Sequence, residues 1–335
     1  MLPYIKILRL HNLLLLALAM FCVRFFLIGT WIHQADLYFK TINTARPIVF
    51  AMSNQQFALL VASSVLIAAA GYIINDYFDL KSDHVNRPGS NKIGKGVSRR
   101  MAMLLHIVLN VAALAIGLYL AYKCRTWRLI GIQLFTITAL WFYSSYLKKS
   151  TGFGELVVSF VMALIPVSVF LYEYYFGFAD LAKELNGILD SSILPPTARL
   201  GILPMVILGY SLLAFLTDFV RQNFKDLENM EGDRLIKNHT LAVTWGANNT
   251  RYLALALCII VFSIIALFEY VMWNWGLNYT LWYAMAFVQL PLMASIVIAL
   301  RAREKKQYVI LSRLLYAIMI AGVLSMPVLY FDIKL

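Results

Sequence analysis

Acidic residues are scarce in this chain: 17 Asp and Glu stand against 29 Lys and Arg in 335 residues, and charged residues of all four types make up only 14%. A soluble domain carries about a quarter charged residues and about half apolar ones. Here 61% are hydrophobic, which excludes an ordinary soluble fold and reads as an integral membrane protein. Cysteine is rare too. Cys22, Cys124 and Cys258 are scattered without CxxC spacing, so neither a zinc site nor a disulfide framework is indicated, and small buried hydrophobes remain. Alternating apolar patterns are missing, which favours a helical bundle over a β-barrel. No cleavable signal peptide is expected, because the first apolar run is long enough to span and lacks a small-residue cleavage site.

What is present is a series of apolar runs. Nine are expected to span, each of about twenty residues, enough for ~30 Å of hydrocarbon. They lie near residues 9–30, 53–75, 101–122, 127–147, 153–174, 201–224, 251–271, 278–300 and 310–331. The 31–51 and 176–199 connections read as extramembrane loops, the second holding Asp180, Lys183, Glu184, Asp190 and Pro195-Pro196. With the N-terminus inside, the cytoplasmic side carries 20 of the 29 basic residues and the opposite side eight, Arg24 falling within the first span. The positive-inside rule then places the N-terminus in the cytoplasm and the C-terminus outside, in what is expected to be the cytoplasmic membrane. The net charge of +12 is thus accounted for by topology, and the basic residues form no soluble nucleic-acid-binding domain. The expected fold class is all-α: a polytopic membrane helical bundle of nine helices with a central cavity open to the cytoplasm. It is read as one domain over 1–335, with 1–150 and 151–335 as candidate internal repeats.

The few acids are concentrated. IINDYFDLKSD holds Asn75, Asp76, Asp79 and Asp83; FKDLENMEGD holds Asp226, Glu228, Glu231 and Asp233. Residues three and four apart share a helix face, so Asp76, Asp79 and Asp83 line one stripe and Asp226, Asn229 and Asp233 another. Loop parity puts both on the cytoplasmic side, at the ends of the second and sixth spans. Crowded carboxylates near hydrocarbon repel one another, so a cation must neutralise them. Hard oxygen donors suit magnesium, which is held by one or two carboxylates plus substrate phosphates. Cations follow each motif: Lys81, Arg87, Lys92, Lys95, Arg99 and Arg100 after the first, Arg221, Lys225, Arg234 and Lys237 in and after the second. Acids holding metal, ringed by Arg and Lys, suit a diphosphate, and the aromatic-rich membrane half suits a hydrocarbon tail. A single such motif is often a solvated helix end; two motifs facing the same side are not explained that way.

Asn75-Asp76-Tyr77-Phe78-Asp79 with Asp83 resembles the NDxxDxxxD motif of the UbiA superfamily of intramembrane prenyltransferases. KDLENMEGDRLIKNHTLAVTWG resembles its second signature, and Asn86-Arg87-Pro88, Lys92 to Gly96, Arg9, Asn12 and YSSYLKK with Gly154 resemble other parts of it. The resemblance spans nearly the whole chain. It implies magnesium-dependent transfer of a polyprenyl group from its diphosphate to a lipophilic acceptor. Asp76, Asp79, Asp83, Asp226 and Asp233 would be the catalytic acids, and these with Asn229 the metal ligands. Asn75, Arg87, Lys92, Lys148, Arg221 and Lys225 would face the diphosphate. Residues 84–98, with Gly89, Gly94 and Gly96, are expected to form a lid. Three positions depart from the pattern: Asn229 replaces a usual acid, Gln222 follows Arg221 where relatives often carry an acid, and Glu155 stands where Asn is common. Tyr143 and Tyr146 suit either a carbocation or interfacial anchoring; Trp273, Trp275 and Trp282 read as an external aromatic belt.

The second motif most resembles the geranylgeranylglyceryl phosphate geranylgeranyltransferase branch, which implies that lipid as acceptor and a geranylgeranyl donor. Aromatic prenylation in quinone synthesis is the alternative acceptor chemistry. A divalent-cation transporter is the alternative of another class, since intramembrane acids also mark ion paths.

Overall fold

The computed structural model describes residues 7–41, 48–86, 91–94, 96–178, 180 and 202–334. Among them there is no β-strand, only an isolated bridge between Ile93 and Val97, and the architecture is a helical bundle. Eight helices of the described residues are long and apolar enough to cross a membrane. This is an integral, multi-pass membrane protein.

The chain enters through α1 (Leu10–Phe21), passes a π-helical stretch (Cys22–Ile28) and continues as α2 (Gly29–Thr41). The first span therefore runs past residue 30, where a loop was expected. Polar residues of α2 are tied down instead: Asp36 pairs with Lys40 at 2.6 Å and accepts the Ile48 amide at 2.9 Å, and Gln34 donates to the Ile333 carbonyl at 2.9 Å. Helix α3 (Asn54–Phe78) starts at a capping box, in which Ser53 accepts the Gln56 amide and Gln56 returns a bond to the Ser53 amide. After the short α4 (Leu80–Asn86), Ser98 caps α5 (Arg99–Lys123), which packs along α3.

The expected fourth span differs. It is a 16-residue helix, α6 (Ile130–Ser145), entered and left through 3-10 turns at Trp127–Leu129 and Leu147–Lys149. It still returns the chain to the end of the bundle where α3 finishes, because Lys148 meets Asp79 there. Then follow α7 (Phe153–Glu173), α8 (Leu203–Leu235), the single turn α9 (Leu241–Trp245) and α10 (Ala247–Asn274). Helices α11 (Asn278–Ala284) and α12 (Leu290–Arg301) join through another π-helical stretch, and α13 (Lys305–Lys334) closes the bundle. Pro166 and Pro327 lie inside α7 and α13, which membrane helices tolerate when neighbours satisfy the freed carbonyls.

Large apolar side chains such as Leu14, Met205 and Leu267 are the exposed ones, as expected of helices that face lipid. Trp273 and Trp282 are also exposed, whereas Trp275 packs against the core. All three cysteines are buried and unpaired. Within the segment expected to form a lid, the described residues are packed. Asn86 ends α4, and Ile93 and Val97 are buried against Ile73 and Ala102 around a turn whose Gly94 has φ +85°. Gly89, Lys95, and the 176–199 connection apart from residues 176–178 and 180 lie outside the described residues.

Candidate active site

The first motif closes α3. Asp76 lies in its last turn, Asp79 caps its end with φ −84° and ψ 3°, and Asp83 stands in α4. The Asp83 amide donates to the Asp79 carbonyl at 2.8 Å, so the helical path bends at the cap rather than ending. Asp76 and Asp79 are each only 7% exposed. Each is met by a cation from a distant stretch of chain. Arg9 Nη2 donates to Asp76 Oδ1 at 2.6 Å, and Lys148 pairs with Asp79. Asn75 donates to Asp79 Oδ2 at 2.7 Å and accepts from Lys148 at 3.4 Å, which explains why an amide precedes the acids. Burial works against the Lys148 ammonium, but Asp79 outweighs it and holds the lysine above its ordinary pKa. Gly154 lets this turn pack closely, since a Cβ there would stand 2.9 Å from the Leu147 carbonyl oxygen. Asn91 spans the motif, donating to Asp83 Oδ2 at 2.8 Å and to the Asp76 carbonyl at 2.7 Å.

The second motif occupies the last turns of α8. Asp233 accepts from Asn238 at 3.3 Å and from Asn86 at 3.4 Å. Asn86 belongs to α4, so this bond joins the helix of the first motif to the second. Gly232 makes the approach possible, because a Cβ there would fall 1.7 Å from Asn86 Oδ1. Gly232→Ala is expected to push Asn86 away and cut turnover by roughly 10- to 100-fold, the usual cost of losing a group that orients a ligand. Steady-state assays of the folded variant check this, and turnover within twofold of wild type would contradict it.

Asp226, two turns before Asp233, meets Glu155 of α7. Tyr143 interacts electrostatically with Lys148 and Asp79 on the side of the first motif and with Glu155 and Asp226 on the side of the second. Tyr146, by contrast, is 69% exposed. Asn229 is half-buried on the same helix. Lys92 and Lys225 are half-buried with interactions of their own. Arg87 lies outside the described residues.

Arg221 is engaged differently from the expectation. Its Nε and Nη2 both bind Asp218 Oδ1, at 2.9 and 2.6 Å, and its guanidinium lies 5.9 Å from the Tyr316 ring. Asp218 is fully buried and also accepts from Ser159 and Gln222, each at 3.2 Å. The Tyr316 hydroxyl donates to Asn12 at 3.1 Å, and Arg9 lies over Tyr72 at 5.2 Å. Asp218, Asn91 and Asn238 are partners of candidate site side chains that the motif reading missed. Only the i, i+3 spacing of Asp218 and Arg221 offered a signal in the sequence.

Among the described residues, no three Asp, Glu, His or Cys side chains form a ready-made metal cage. Magnesium does not require one, because it keeps several waters and binds through one or two carboxylates plus substrate phosphates. The donor set fits such an ion: hard carboxylate oxygens at one end of the bundle, with buried Asp226 Oδ2 and Glu155 Oε2 lacking a hydrogen-bond partner among the described residues.

Comparison with known proteins agrees with this geometry. Residues 44–330 match the model of the UbiA prenyltransferase family. A digeranylgeranylglyceryl phosphate synthase of Methanoregula boonei is 32% identical over 198 residues, 59% of this chain and 60% of that protein. The matched stretch is thus under two thirds of that relative's length. The enzyme of the same name from Sulfolobus acidocaldarius is 27% identical over 78% of this chain and 76% of its own. Among solved structures, one of a digeranylgeranylglyceryl phosphate synthase superposes with TM-score 0.61 at 19% identity, covering 99% of this chain and 98% of that one. A UbiA homologue from Archaeoglobus fulgidus, bound to GPP and Mg2+, gives TM-score 0.53 at 16% identity over 99% of this chain and all of that one. With its two acidic motifs drawn together at one end of a helical bundle, the chain belongs to the UbiA prenyltransferase family.

Proposed function

We propose that this protein transfers a polyprenyl group, in first place geranylgeranyl, from its diphosphate to the hydroxyl of geranylgeranylglyceryl phosphate within the membrane. The observation that carries the reading is the Asn86–Asp233 contact, which brings the two acidic motifs to one site beside Arg9 and Lys148. The relatives named as digeranylgeranylglyceryl phosphate synthases support the acceptor, and the Mg2+ and GPP of the Archaeoglobus homologue support the cofactor and donor class.

Asp76, Asp79, Asp83, Asp226 and Asp233, with Asn229, are the groups that would hold magnesium. Bound there, magnesium supplies positive charge to the diphosphate. Arg9 and Lys148, paired with Asp76 and Asp79, would supply positive charge to the phosphate oxygens beside those carboxylates. Lys92, Lys225 and Arg221 add positive charge, Arg221 held in place by Asp218, and Arg87 is assigned the same role from its place after the first motif alone. Asn75 keeps Asp79 and Lys148 in register. The prenyl carbon–oxygen bond breaks with its electron pair leaving on pyrophosphate, and the acceptor oxygen attacks the allylic carbon and gives its proton to the departing pyrophosphate, forming an ether. Tyr143, between the motifs, presents a ring to the developing cation. Apolar helices keep water from quenching it. The basic-residue count supports a cytoplasmic position for this end of the bundle, where an anionic acceptor head would find matching charge. Cations paired directly onto the acids would oppose a metal ion in transit, which disfavours transport.

Purified protein in lipid, given magnesium and labelled geranylgeranyl diphosphate, should be offered geranylgeranylglyceryl phosphate beside a set of aromatic acids and phenols. The expected product is the glycerol ether. Label on an aromatic carbon, with no ether, would overturn the acceptor while leaving prenyl transfer in place. Magnesium uptake into sealed vesicles with no product would favour transport.

A further inference from the structure

Glu155 is the one departure from the family pattern that the structure brings into contact with a motif acid. It lies in the first turn of α7, is 5% exposed, and meets Asp226 of α8. Neither Glu155 Oε2 nor Asp226 Oδ2 has a hydrogen-bond partner among the described residues. One helical turn before Asp226, Asn223 is fully buried with Oδ1 also unpartnered, its amide nitrogen being committed to the Phe219 carbonyl at 2.7 Å. Asn223 and Asp226 share a face by their spacing. Two packed helices therefore carry three unsatisfied hard oxygens, with Glu155 and Asp226 interacting and Asn223 one turn away on the Asp226 face.

The charge of Lys225 offsets less than the closeness of Glu155 and the burial of Asp226 Oδ2 impose, so the pair still calls for a shared proton or a shared cation. A proton bridges two oxygens and leaves the Asn223 carbonyl unsatisfied. A divalent cation takes all three, and it answers the second anomaly of this sequence, the neutral Asn229 in a motif that usually carries an acid there. We propose that Glu155 is a ligand of the second divalent-cation site, supplied from α7 to Asp226 with the Asn223 carbonyl, and that it restores the negative charge missing at residue 229. This rests on the prenyltransferase reading but concerns how this chain assembles its metal site.

The test uses the whole protein in lipid nanodiscs, titrated with Mn2+ in the presence of inorganic pyrophosphate, with bound metal counted by electron paramagnetic resonance. Wild type should bind two Mn2+ per chain. Glu155→Gln should bind one, and Asn229→Asp in that background should recover the second by putting the charge back on α8. Asp226→Asn provides a second route to the same loss should Glu155→Gln fold poorly, and adding Glu155→Gln to it should remove no further metal. Two Mn2+ bound by folded Glu155→Gln, with wild-type affinity, would overturn the proposal in favour of a shared proton. So would a further loss of metal in the double variant. Those results would leave prenyl transfer untouched. Wild type that binds no Mn2+ and forms no product would instead bring down the prenyltransferase reading with the proposal.

Discussion

Asp76→Ala is expected to lower prenyl transfer by roughly a hundred- to a thousandfold, the scale seen when one preorganised electrostatic contact to a developing charge is removed. The structure gives two reasons for so large an effect. The substitution takes one carboxylate from the metal-binding set, and it leaves Arg9, held at 2.6 Å by Asp76, without its anchor. Asp79→Ala should behave alike, because Lys148 and Asn75 both depend on that carboxylate. Neither change should unfold the bundle, since both acids sit where α3 ends rather than among the packed apolar side chains. Circular dichroism and size-exclusion profiles should match wild type while turnover collapses. Near-normal turnover of a folded variant at saturating magnesium would show that the first motif does not take part in the chemistry.

The largest stability effect is expected elsewhere. Arg24 is fully buried in the π-helical stretch after α1, about 22 Å along the helix from Arg9 at a rise of ~1.5 Å per residue. It donates to Glu173 at 2.6 Å, to Asn54 at 2.9 Å and to the Met52 carbonyl, while Glu173 accepts the Met52 amide at 3.0 Å. Phe25, Phe50 and Phe57 surround the guanidinium, with centroids at 4.9, 4.7 and 4.7 Å. Removing one partner strands the other charge in a dry interior, at a cost of about 3–5 kcal/mol. Arg24→Leu should therefore unfold at markedly lower temperature in detergent, while the molecules still folded keep normal turnover. Adding Glu173→Met should recover most of the loss, because an apolar pair of similar volume is often as stable as the ions it replaces. An unchanged melting temperature for Arg24→Leu would refute this account of the far end of the bundle.

The parts of the fold legible in the sequence were those written in local pattern. Hydropathy locates the spans, and loop parity puts Asp76 and Asp233 at the same end, where Asn86 links the first motif's helix to Asp233. The motif pattern points to Asn75 and Asp79, and the family resemblance to Lys148, and the structure joins the three. What escaped notice depends on partners far apart in the chain. Arg24 and Glu173 are 149 residues apart, so each alone looks like an isolated charge inside a span. Arg221 looked free to meet phosphate because its counter-ion Asp218 lies outside the acidic motif. Residues 31–41 looked like a loop because Gln34, Asp36 and Lys40 are polar. Their partners, Ile333 and Ile48, become neighbours only when the bundle closes. In the segment expected to form a lid, Ile93 and Val97 pack with Ile73 and Ala102, a contact that the glycine spacing does not indicate.

The central claim is that the two acidic motifs act together by holding divalent metal against a prenyl diphosphate. The most direct test is metal removal and return during a single assay of labelled geranylgeranyl diphosphate with geranylgeranylglyceryl phosphate. EDTA should stop both loss of the diphosphate and formation of the ether, and excess magnesium should restore them together in wild type but not in Asp76→Ala or Asp233→Ala. Transfer that continues at an undiminished rate in EDTA would contradict the account.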